Sequence, residues 1–133
     1  MYKPAVIAGL LMATGVEAHH TVTVDYDLTR EIELRGTVAA FVQQSPHSLL
    51  TLRGQRYSDG QPVDVSDQQW YVETMPPSYL RRMGITADSF GPGTAIIVLA
   101  HPNRDAASRN VTSSIFIDAT GRRYSRGSKS VTP

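Results

Sequence analysis

Cysteine is absent from all 133 residues. That excludes disulfides, thiol redox chemistry and thiolate metal ligation, so stability must come from core packing and from any bound ligand. An excess of one charge is missing as well: Lys and Arg total 13 against 12 Asp and Glu, with the signs mixed along the chain. No broad basic face for nucleic acid follows from such a balance, and no nucleic-acid partner is expected. Long hydrophobic runs are scarce. The longest, from Pro4 to Val16, is too short to cross a bilayer as a stable helix, and no later segment is a candidate membrane span. Also lacking are Gly-x-Ser-x-Gly, a phosphate loop, a paired-carboxylate motif and His-Glu-x-x-His, so an enzyme is not expected.

What the opening run does fit is a targeting segment. Lys3 is its only early charge, and Val16-Glu17-Ala18 places small residues at the two positions a signal peptidase reads. Residues 1–18 are therefore expected to be a signal peptide cleaved after Ala18. The mature chain then begins at His19 and keeps about 115 residues, enough for one domain with a modest core. With no cysteine before the cleavage point to take a lipid, a periplasmic or secreted product is expected.

The remaining pattern is dominated by period two. Thr21 to Asp27 alternates weakly, as a short strand or extended arm. From Glu31 to Gln44, Ile32, Leu34, Val38, Ala40 and Val42 describe one long half-buried strand in which Gly36 marks a bulge or sharp bend. Ser45-Pro46 breaks it, and His47 to Arg56 carries Leu50 and Leu52 on one face, completing a hairpin. Gln68 to Met75 is a third strand, with Trp70 and Val72 on one face and Tyr71 and Glu73 on the other. Pro76-Pro77 ends it. A short helix over Ser78 to Met83 follows, with Ser78 as its cap and Gly84 as its terminator. Thr94 to Ala100 reads as a strand buried on both faces and stopped by His101-Pro102. Val111 to Asp118 is the last strand, with Ile115 and Ile117 inward and a turn at Thr120-Gly121.

Five strands, the first long and bent, with a single helix between the third and fourth, is the element order of an OB-like all-β barrel. A small β-sandwich is the alternative. The domain is placed at residues 19–120. Residues 121–133 form a Ser- and Gly-rich tail with Arg122, Arg123, Arg126 and Lys129, read as a loosely ordered, solvated end.

Four histidines stand at positions 19, 20, 47 and 101. Cleavage after Ala18 would expose the amine of His19, whose pKa near 8 lets it lose its proton and bind a metal together with its own imidazole. Such nitrogen donors suit copper best, then nickel and zinc. A third nitrogen completes a histidine brace, so the candidate metal ligands are His19, His20 and His47, with His101 second to His47. Strand geometry puts His47 and His101 at different ends of the first strand. The arm from His20 to Glu31 spans about 11 residues, roughly 35 Å when extended, and can reach either. The bland alternative is a frayed, solvated terminus and two turn-flanking histidines bonded to backbone. Glu73 is a candidate ligand or base, although a carboxylate on a strand more often pairs with an arginine such as Arg35. Trp70, with Tyr71 and Tyr79, is a candidate stacking platform, although its position in the alternation favours the core. Trp70, Glu73 and His101 are thus the candidate ligand-binding residues beside the metal set.

In chain order, Ala18-His19-His20, Glu33 to Val38, Ser45-Pro46-His47, Trp70-Tyr71-Val72-Glu73, Leu80 to Gly84, Gly91-Pro92-Gly93 and His101 to Asp105 resemble an uncharacterised family of small secreted bacterial proteins, a domain of unknown function. The resemblance spans nearly the whole mature chain. Two positions depart from the family pattern, Thr21 where serine is usual and Ser45 where asparagine is usual, and both spare the histidines. The resemblance implies export, a single β-rich domain and interest in His19, His20 and His47. It implies no substrate.

Two function classes follow. The first is an exported binding module holding copper, another transition metal or a small ligand at its histidine-bearing end. The second is a structural or interaction domain, without metal, that docks a partner protein or copies of itself. Converging nitrogens favour the first, and a continuous exposed apolar edge favours the second. A copper oxygenase would further need an open coordination position beside a substrate surface.

Overall fold

Residues 25–125 are described by the computed structural model. The signal-peptide expectation, His19, His20 and the tail beyond residue 125 lie outside that range. Alternating apolar residues drive two long antiparallel strands, β1 (Ile32–Val42) and β2 (Ser48–Ser58), joined through the cis Ser45–Pro46 peptide. Asp59 and Gly60, both at positive φ, turn the chain into the two-residue β3 (Gln61–Pro62). There follow β4 (Gln68–Thr74), the helix α1 (Pro77–Arg82), β5 (Ala95–Pro102), β6 (Asn110–Asp118) and β7 (Arg123–Ser125).

Pairing runs β1–β2–β4–β6–β5 and back to β1, which closes a five-stranded barrel. Every pair in the ring is antiparallel except β4–β6, which is parallel. This is the OB-like arrangement, and closure excludes the sandwich. The helix lies between the third and fourth barrel strands as expected, since β3 is only a two-residue appendage to β2.

The interior is filled by Leu34, Val38, Leu50, Leu52, Trp70, Val72, Val98 and Phe116, joined by Leu80 of α1 and by Ile85. Gly36 is not the bulge. It pairs with Gly54, and a Cβ on either glycine would lie 2.1 Å from a carbonyl oxygen of the facing strand. The bulge falls at Ala39, where the β1–β2 register shifts. It reverses the alternation beyond Val38, so Phe41 packs against the core while Ala40 and Val42 face outward.

Other expectations are corrected in the same way. A second register shift, between β5 and β6, leaves Ser114 as the extra residue, and its hydroxyl donates to the Leu99 carbonyl at 3.0 Å. Phe116 is thereby the inward residue, fully buried, whereas Ile115 and Ile117 are only half-buried. β5 is not buried on both faces. Ile96, Val98 and Ala100 are buried, Ile97, Leu99 and His101 half-buried and Ala95 exposed, because a barrel strand has one inner face. Nor does His101-Pro102 stop it, since Pro102 still pairs with Val111. The N-cap of α1 is Pro76 rather than Ser78, with no side-chain cap, while Gly84 at φ +89° ends the helix as expected. The tail begins in order: β7 pairs with β6, and Tyr124 is buried beside Phe90. No described helix is long and apolar enough to cross a membrane.

Candidate functional site

The β1–β2 connection delivers His47 to the mouth of a surface groove. Ser48, fully buried, donates its hydroxyl to the Gln44 carbonyl and accepts the Gln44 amide at 3.1 Å, clasping the loop around the cis proline. Leu49 pairs with Glu73, so the outward face of β4 brings Glu73 beside His47. The His47 Nδ1 atom lies 3.4 Å from Glu73 Oε1.

A third element enters from the N-terminal side. The arm before β1 lies along the end of β5 through a Tyr26–Asn103 bridge, with Asp27 N–H donating to the Pro102 carbonyl at 2.9 Å and Arg104 N–H to the Asp25 carbonyl at 2.9 Å. From there the Tyr26 side chain meets β4, and its hydroxyl donates to Glu73 Oε2 at 2.7 Å. Burial, and then the hydrogen bond and charge of Glu73, push the Tyr26 phenol far above the ordinary tyrosine range. Tyr26, Gln44, His47, Tyr71, Glu73 and Asn110 line the resulting groove of about 440 Å³. It lies on the second and third barrel strands between the first and last inter-strand connections, where OB barrels present ligand sites.

Glu73 therefore does not pair with Arg35, which instead meets Glu33 on its own strand and stacks over Tyr57. Trp70 is buried in the core, its Nε1 donating to the Gly54 carbonyl at 3.2 Å, and Arg109 and Arg56 lie over its ring. It lines a separate shallow depression of about 70 Å³. Tyr71 faces the groove from the opposite side of the strand, and Tyr79 sits on α1 under Arg82, so the three rings do not share one platform.

His101 stands apart from His47. Its Nδ1 donates to the Arg30 carbonyl at 2.7 Å, and it does not line the groove. Along β1 the two histidines belong to opposite ends, as expected, because Val42 pairs with Leu49 and Ile32 with Ala100. The other way round, a row of paired residues runs from Leu49, two positions after His47, through Glu73 and Thr112 to His101. By that route β2 and β5 are three strand spacings of about 4.8 Å apart, and by way of β1 they are two.

Among the described residues no group of three or more His, Asp or Glu side chains is placed to hold a metal. A centre of three such side chains at His47 would therefore need residues outside 25–125. Tyr26 was not among the candidate residues, yet it falls in phase with Val22 and Val24 in the alternating stretch, the one signal that marks it as inward-facing. Gln44 and Asn110 carry no comparable signal.

A five-stranded OB-like barrel with a histidine–carboxylate groove on the outer side of its second and third strands is the class of protein that these features define. The chain belongs to a family of unknown function, DUF6152, whose model matches residues 8–112, a range that includes Tyr26, His47 and Glu73. No curated protein and no solved structure matches it.

Proposed function

We propose that the protein is an exported binding module that holds a transition-metal ion, copper first, in the groove beside His47, with His19 and His20 supplying the other nitrogens. The observation that carries this reading is the Tyr26–Glu73–His47 chain of contacts, because it ties the start of the N-terminal arm to the groove that contains His47. From Tyr26 back to His20 is six residues, at most about 20 Å of extended chain. Cleavage after Ala18 would give this arm a free amine, and amine plus imidazole nitrogens favour copper(II) over the other common divalent ions. The reading is of binding rather than of turnover.

One observation favours a second reading. Val42 on β1 is exposed next to Leu49 and Tyr71, the exposed apolar part of the groove lining on β2 and β4, and such a strip suits docking of a partner protein or of another copy without any metal.

Calorimetric titration of copper(II) into the chain beginning at His19, into a control with one extra residue ahead of His19, and into His47→Ala separates the two. Tight one-to-one binding that is lost in the control and weakened in the variant supports the metal centre. No binding in the chain beginning at His19 leaves the docking reading.

A further inference from the structure

Both carboxylate oxygens of Glu73 face a polar partner, and the partners come from different elements. Oε2 accepts the Tyr26 hydroxyl from the N-terminal arm, and Oε1 faces His47 Nδ1 at the start of β2. The phenol is buried, which limits competition from water at its end of the bond, and it holds Glu73 by the oxygen that does not face His47. Each oxygen keeps a further lone pair, but Glu73 already accepts a phenol on one and turns the other toward an imidazole. It is well suited to a task other than direct ligation. A neutral imidazole has one ring proton, and the nitrogen that faces a carboxylate retains it, which commits the other nitrogen to the lone pair that a metal needs.

We infer that Glu73 is a positioning residue rather than a ligand. It holds the His47 proton on Nδ1 and presents Nε2 as the donor to a divalent transition-metal ion, while Tyr26 locks Glu73 in that pose. The consequence for metal binding rests on the proposed metal site, whereas the tautomer of His47 does not depend on it. The arm thereby has a second task beside carrying His19 and His20, since its tyrosine also sets which imidazole nitrogen is offered. The ligand class is narrowed too: a pyridine-like nitrogen backed by a carboxylate attracts a borderline metal cation and repels anions.

The test uses the metal-free, ¹⁵N-labelled chain beginning at His19, at an alkaline pH where imidazoles are neutral. Long-range ¹⁵N–¹H spectra assign the His47 tautomer in the wild type, in Glu73→Gln and in Tyr26→Phe. The expected result is the Nδ1–H tautomer in the wild type, its loss in Glu73→Gln and a partial loss in Tyr26→Phe. Copper(II) affinity should fall about 10- to 100-fold in Glu73→Gln, the usual effect of removing an outer partner of a ligating histidine. A wild-type His47 in the Nε2–H tautomer overturns the inference, and that measurement needs no variant to fold. Copper binding equal in wild type and Glu73→Gln overturns the role toward metal while leaving the metal site standing. The Nδ1–H tautomer with no copper bound at all removes the metal reading and upholds the positioning.

Discussion

Gly36 and Gly54 face each other across β1 and β2 with no room for a side chain on either. A Cβ on Gly36 would lie 2.1 Å from the Arg53 carbonyl oxygen, and one on Gly54 the same distance from that of Arg35. The obstruction is backbone on both sides, so no rotamer change relieves it. Gly36→Ala or Gly54→Ala is expected to destabilise the fold by about 3 kcal/mol or more, read from urea unfolding midpoints. The double variant should not rescue either single one.

Tyr26 makes stability depend on alkaline pH. Burial and the Glu73 carboxylate raise its phenol pKa above the unfolded value near 10. Below that unfolded value the phenol is protonated in both states, and the stabilisation from its hydrogen bond is fully present. Above it the unfolded chain releases the proton more readily than the folded one, and the stabilisation is lost as pH rises toward the folded pKa. Tyr26→Phe is expected to cost about 1–2 kcal/mol near neutrality and to flatten the fall in unfolding free energy above pH ~10. Tyr124, also raised by burial and by its bond to Asp118, remains as an internal reference for late phenolate absorbance.

The bulge at Ser114 decides which large side chain of β6 fills the barrel. Phe116→Ala should cost about 3–5 kcal/mol, and Ile115→Ala under about 2 kcal/mol, by denaturant unfolding. The reverse order would mean that the register shift is misplaced.

His101 and His47 should separate in metal binding. The His101 ring is tied to the Arg30 carbonyl outside the groove, so His101→Ala is expected to leave copper(II) affinity within about threefold of the wild type. His47→Ala should lower it at least about tenfold. Calorimetry on both variants checks the pair.

The barrel was legible because period-two alternation is the direct imprint of a one-sided core, and because Asp59-Gly60, Pro76-Pro77 and Gly84 act locally. The inner face was legible only up to each bulge. Ala39 and Ser114 each add one residue to a strand, and nothing in their chemistry announces it, so Ala40 and Val42, then Ile115 and Ile117, read as inward on sequence alone. In the groove, His47 and Glu73 stood out as titratable groups on predicted strands. Their meeting depends on the pairing of Leu49 with Glu73, a contact between distant parts of the chain that periodicity does not encode. Tyr26 is a longer-range case still, tied to the site by the return of the arm onto β5.

Because the ring of strands closes on itself, its main ladders spend their backbone groups on one another. The pairings that hang from the ring within residues 25–125 are brief: β3 has two residues, one of them a proline without an amide hydrogen, and β7 has three and opens with an arginine. Neither offers the long, flat row of free amides and carbonyls on which another chain could add a strand. Through residues 25–125, copies of this barrel that meet would have to recognise each other by side chains. Cross-β growth, a hazard of β-rich chains, has little template among residues 25–125.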